Sequence, residues 1–137
     1  MITPQTIGNI LYRDCKATFG IDAVYVVVPG DNSDEIPKGE VTEERIIIHV
    51  KAQKPGTYWR KSFNEVNYLV PRIQNRPDRI HCEQLEHEAM KKLDGVTGKY
   101  DGSHYLYLVE SIGTMTDDAL NCEYVNARIL FEVLNVK

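Results

Sequence analysis

The sequence predicts an α+β domain: a mixed or antiparallel sheet of about five strands with two helices packed on one face, in the order α-β-β-β-α-β-β. Three observations lead there. Two segments carry apolar residues at helical spacing, whereas five other runs are rich in valine, isoleucine and aromatic residues and are bounded by glycine, proline or polar clusters. The last run, EYVNARILFEVLNV, alternates Val125, Ala127, Ile129, Phe131 and Val133 with Asn126, Arg128 and Glu132, which marks a strand with one buried and one wetter face. The length of 137 residues, with 42% hydrophobic and 26% charged, suits a single domain spanning residues 1–137 whose core needs no disulfide or metal to hold it.

The elements follow in order. Thr3 and Pro4 form an N-cap with proline at the first helical position, and Ile7, Ile10, Leu11 and Cys15 recur at helical spacing toward a stop near Gly20. DAVYVVVP, Asp22 to Pro29, reads as a short buried strand. The acidic segment PGDNSDEIPKGEVTEE follows, a polar loop at about residues 30–44 expected to be mobile in the isolated protein. RIIIHVKA is a second strand with Ile46, Ile48 and Val50 on one face and Ile47, His49 and Lys51 on the other. WRKSFNEVNYLVP is a third, in which Trp59 and Phe63 share one parity and Val66, Tyr68 and Val70 the other, a pattern that predicts a β-bulge near Asn64. RPDRIHCEQLEHEAMKKLDG is the second helix, with Pro77 and Asp78 at its start, lysines late and Gly95 at its stop. HYLYLVES, His104 to Ser111, is the fourth strand, and EYVNARILFEVLNV the fifth.

Bulk charge and cysteine usage exclude several function classes. A net charge of -4 argues against binding nucleic acid mainly by neutralising phosphates. Cys15, Cys82 and Cys122 are odd in number and widely spaced, so they read as reduced, buried thiols. The N-terminal MITPQTIGNILYRD lacks the basic and apolar regions of a secretory signal, and no apolar run is long enough to span a bilayer.

The richest chemistry lies in HCEQLEHE, His81 to Glu88. On a helix His81 and His87 sit roughly 120° apart and do not converge on one metal, whereas Cys82, Leu85, Ala89 and Leu93 form an apolar stripe. Glu83 and His87, at i and i+4, form a surface contact on this reading, or two ligands of a metal if a third converges on them. The HExxH pattern, a P-loop, a dinucleotide fingerprint and a GxSxG elbow are all absent from the sequence. Asp31, Ser33 and Glu35 are spaced like calcium-loop ligands, but Ile36 stands where the turn needs glycine. His49 and His104 fall at strand positions that usually hold structural or solvated histidines. Tyr58, Trp59, Arg60 and Lys61 form an aromatic-basic cluster, read as a strand start with Trp59 in the core or as a base-stacking platform.

The element order, the long polar loop between early strands and the closing SIGTMTDDALNCEYVNARILFEV resemble the tail terminator and tail completion proteins of long-tailed bacteriophages, over nearly the whole chain. The resemblance implies a non-catalytic virion structural protein without cofactor or metal. It implies a ring-like homo-oligomer, a hexamer in many members, that caps the tail tube and meets the head connector, in the host cytoplasm during assembly and then in the virion tail. Its partners would be further copies of itself, the tail tube protein and the head-tail connector protein, with no membrane and no direct nucleic-acid contact. For such a ring, Asp31, Asp34 and Glu35 of one copy are expected to face Lys51, Arg60 and Arg128 of the next. The competing readings are a small metal-dependent hydrolase using Glu83, His87 and His104, and a nucleic-acid adaptor using Trp59, Arg60 and Lys61.

Overall fold

Thr3 and Pro4 open the first helix, α1 (Pro4–Phe19), in the computed structural model, which describes residues 1–31, 35–53 and 59–134. The Thr3 side chain accepts from the Thr6 backbone N–H, and the Thr6 hydroxyl accepts from the Thr3 N–H at 3.2 Å, so two backbone donors at the helix start are satisfied reciprocally. Gly20 ends the helix at φ 66°, a left-handed conformation that glycine adopts without steric cost. Ile7, Ile10, Leu11 and Cys15 are buried on its inner face. Gly8 lies among them, where a Cβ would stand 2.8 Å from a Val26 methyl, so its lack of a side chain lets α1 approach the sheet closely.

The second helix, α2 (Arg79–Lys92), is capped by Asp78, whose carboxylate accepts from the His81 N–H at 3.2 Å. Cys82, Leu85, Ala89 and Leu93 are its buried stripe, as the spacing predicts. Both helices contribute to one core against one face of the sheet.

Among the described residues that sheet has six strands: β1 (Val24–Val27), β2 (Arg45–His49), β3 (Trp59–Pro71), β4 (Val96–Tyr100), β5 (Ser103–Asp117) and β6 (Cys122–Leu134). Their order is β1-β2-β3-β6-β5-β4, and every neighbouring pair is antiparallel except β1 and β2. A parallel pair cannot be joined by a tight turn. Residues 28–44 therefore form a crossover, which gives the long polar segment a connective role. Among its described residues the one buried apolar side chain is Val41, which packs with Leu69 and Cys122, and the Val41 N–H donates to the Leu120 carbonyl at 2.9 Å.

The sixth strand, β4, was not expected. It is short and mostly exposed, contains Gly98, and follows Gly95, so its sequence reads as linker. Gly98 is nevertheless required where it stands: a Cβ there would fall 2.3 Å from the Tyr105 ring, which lies over it from β5. Tyr105, Tyr107 and Phe131 then pack with ring centroids 5.4 Å apart for each tyrosine–phenylalanine pair. At their polar ends, the Tyr107 hydroxyl donates to Asp14 at 2.6 Å and Arg13 donates to the Tyr105 hydroxyl at 3.2 Å, which ties α1 to β5. Burial, then the hydrogen bond to Asp14, push the Tyr107 phenol far above its ordinary value, so it stays the donor.

The bulge expected near Asn64 is not there. The register of β3 against β6 runs unbroken from Trp59 to Pro71. Even-numbered residues face the core throughout, and the pattern looked shifted because two of them, Ser62 and Asn64, are polar and buried. The Asn64 carbonyl oxygen accepts from the Lys51 N–H at 3.0 Å and its amide donates to Ser62 Oγ at 3.2 Å, so the chain leaving β2 is held by a side chain. Phe63 points the other way and is 41% exposed. The irregularity of register lies in β5, between Val109 and Ser111, and moves the inward set from Tyr105 and Tyr107 to Ile112. Beyond it β5 continues to Asp117 through exposed Thr114, Met115 and Thr116, whose polarity is why the strand expected at His104 to Ser111 is shorter than the one formed.

Candidate assembly surface

The helices cover one face of the sheet, and the long strands β3, β6 and β5 align the side chains of the other face in rows. Phe63, Leu130 and Leu108 form one row. Lys61, Glu132 and Leu106 form the next, with Lys61 Nζ 3.4 Å from Glu132, and Leu134 follows opposite His104. The leucines are half-buried and Phe63 is exposed, so this end is an apolar patch open to solvent. A polar belt bounds it. Arg128 lies over Phe63, 4.2 Å from its ring centroid, with Nε 3.6 Å from Glu110, and the Asn126 amide donates to Asn67 at 2.6 Å. Past the belt, Leu69 and Tyr124 lie under the crossover through Val41. The crossover thus shields one apolar end of this face and leaves the other.

Two polar clusters stand at the crossover's far end. Glu44, just before β2, accepts from the Tyr68 hydroxyl at 2.9 Å, and its other oxygen pairs with His81 Nε2 of α2. Burial, then this hydrogen bond, raise the Tyr68 phenol well above its ordinary value. His81 is thus a half-buried tie between α2 and the crossover. The second cluster centres on Arg72, just after β3. Its guanidinium donates to both Glu123 carboxylate oxygens at 2.9 and 3.2 Å, to Asp118 at 2.8 Å and to the Asn121 side-chain oxygen Oδ1 at 3.2 Å. The Asn121 amide in turn donates to Glu40 of the crossover.

Glu123 is buried, and its hydrogen bonds from Arg72 hold its carboxyl below the ordinary value of 4.5, against the opposing effect of burial. A carboxylate whose value is lower in the fold than in the unfolded chain stabilises fully above the unfolded value, and that contribution is lost as pH falls through the folded one. Urea unfolding at about pH 7 and about pH 3.5 should therefore show a smaller acid loss of stability in Glu123→Gln than in the native chain. Equal slopes in both would remove Glu123 from the acid response.

The residues singled out in the sequence are not brought to one place. Asp34 and Ser33 lie outside the described residues, as do Tyr58 and the side chain of Trp59. Glu35 and Lys51 are exposed. The backbone N–H of Asp31 donates to the Val28 carbonyl at 3.0 Å. Arg60 has the parity of the core residues Ser62 and Asn64, whereas Arg128 and Lys61 point from the opposite face, so the three basic residues Lys51, Arg60 and Arg128 share no single surface. The same parity separates Arg60 from Lys61 in the base-stacking reading. His87 and Glu83 are 3.5 Å apart and both largely exposed, the surface contact their spacing predicts. His104 is exposed on β5, opposite Leu134, and no group of three or more metal-ligating side chains converges among the described residues.

All three cysteines are free and buried. Burial pushes Cys82 and Cys122 up to about 11 and Cys15 up to about 12, so each is held as a thiol at neutral pH. Among the described residues no helix is long and apolar enough to cross a membrane. Comparison of the chain with models of known protein families and with curated proteins found no match.

Proposed function

We propose that this chain is a virion structural protein of a long-tailed phage or prophage that caps or completes the tail tube and joins it to the head connector, acting by assembly rather than by catalysis. The observation that carries the reading is the half-open sheet face. Both helices are spent on the opposite face, yet Phe63, Leu106, Leu108, Leu130 and Leu134 form an apolar patch rimmed by Lys61, Glu132 and Arg128, the composition of a surface made to be covered. Covering what remains exposed is worth on the order of 1 kcal/mol per residue, which summed over the patch stabilises a contact only when several copies or partners act together. The resemblance read from the sequence, in element order and in the long polar loop between early strands, suggests the kind of assembly, a ring of copies on a tube.

In such a ring Asp31, Asp34 and Glu35 of one copy meet Lys51 and Arg128 of the next, since Lys51 and Arg128 are exposed and Arg60 projects from the other face. Light scattering across protein concentration and salt, alone and with tail tube protein, tests this reading. A discrete oligomer, or a complex formed only on the tube, is expected. Phe63→Asp with Leu130→Asp should abolish it while circular dichroism stays native. Neutralising Asp31, Asp34 and Glu35 should weaken it in a salt-sensitive way. A monomer inert toward both would overturn the proposal.

A further inference from the structure

The strand β4 is five residues long and pairs only with Ser103 to Tyr107 of β5. β5 runs on to Asp117 with β6 on its other side, so from Leu108 onward its outer edge has no neighbouring strand among the described residues. Just past β4 that edge is closed to a newcomer. The Val109 N–H donates to Asp94 at 3.0 Å, and the register shift between Val109 and Ser111 disturbs the strand, two devices that keep edges from pairing. Among the described residues the stretch from Ile112 to Asp117 carries neither.

Beside that stretch α2 stands off the sheet and leaves a cavity of about 320 Å³ between Thr114 and Thr116 of β5 and Arg79, Cys82, Glu83 and Glu86. Glu123 also lines it, but its carboxylate is already held by Arg72. Glu86 accepts from the Thr114 hydroxyl at 2.7 Å, and Glu83 is exposed beside His87. Two carboxylates against the single guanidinium of Arg79 leave the mouth of the cavity acidic.

We propose that the edge from Ile112 to Asp117 receives an extended segment of a partner protein as an added strand, with a lysine or arginine of that segment seated between Glu83 and Glu86. Strand addition supplies main-chain hydrogen bonds, and every second side chain of the added strand projects on the α2 side, where the cavity lies. Charge selects the occupant. Pairing of the same edge between two copies about a two-fold axis would bring like carboxylates together, whereas a basic segment neutralises them. This surface is the edge of the sheet, not its apolar face, so the inference stands apart from the tail reading.

The full chain should be titrated with the capped peptide Thr-Val-Thr-Lys-Thr-Val-Thr, reading amide shifts and hydrogen exchange. Saturable binding is expected, with protection confined to residues 112–116. It should weaken about tenfold in Glu83→Lys with Glu86→Lys, both surface positions, and by a similar factor when the peptide's lysine is replaced by glutamate. N-methylation of alternate peptide amides should abolish it. Absence of saturable binding, binding indifferent to N-methylation, or dimerisation of the native chain through this edge would overturn the proposal.

Discussion

Alanine in place of Phe131 is expected to lower the unfolding free energy by about 3–5 kcal/mol, a large fraction of the stability of a domain of this size. Phe131 is fully buried on β6 and is flanked by both Tyr105 and Tyr107, so its removal opens a cavity and deletes two aromatic contacts at once. The tyrosines cannot collapse into the space freely. Their hydroxyls are tethered to Arg13 and Asp14 of α1, and moving the rings would break those bonds. Phe131→Leu, which keeps most of the volume, should lose roughly 1.5 kcal/mol or less. Urea denaturation of the three proteins checks this ordering, and an alanine cost near that of leucine would show that the site relaxes.

Gly98→Ala is expected to cost about 2–3 kcal/mol, although it adds a single methyl to an exposed edge strand. The new Cβ would lie 2.3 Å from the Tyr105 ring, and that ring cannot yield without disturbing the contact with Phe131 and the bond from Arg13. In the background of Tyr105→Ala, which removes the obstacle, the same glycine replacement should be nearly neutral or mildly stabilising, since alanine suits a strand better than glycine. A double-mutant cycle measures the difference. If Gly98→Ala costs the same with and without the Tyr105 ring, ring and glycine are not coupled.

How much of this was legible beforehand depends on how far apart the determining residues lie. Both helices are readable because caps and apolar stripes are local: Thr3, Pro4, Asp78 and the Cys82 to Leu93 stripe all act within a few residues. The alternation of β6 is legible for the same reason. Asn64 defeats such a reading because its partner, the Lys51 N–H, is made by a neighbouring strand's exit, and a buried amide breaks the hydrophobic rhythm without breaking the register. β4 is hidden because its glycine is selected by a ring on another strand. The ties at Arg72 and at Glu44 join residues far apart in the chain and leave no periodic trace. One hint was present: Glu123 has the parity of Val125 and Ala127, and a carboxylate at a core position calls for a cation. The assembly surface was only half readable, since the wetter face of β6 was evident while its alignment with Phe63 and Leu108 required the strand order.

That strand order bears on how the protein can be made. β6, sixth in chain order among the described residues, lies in the middle of the sheet and is the shared neighbour of β3 and β5. A chain emerging from the ribosome therefore holds two long strands with no partner between them until residues 122–134 have been synthesised. Any product cut short before Cys122 retains both helices and five strands yet lacks the strand that unites them, and should be recovered as protease-sensitive aggregate. A chain that stops before residue 122 thus lacks the strand that joins the two halves of the sheet.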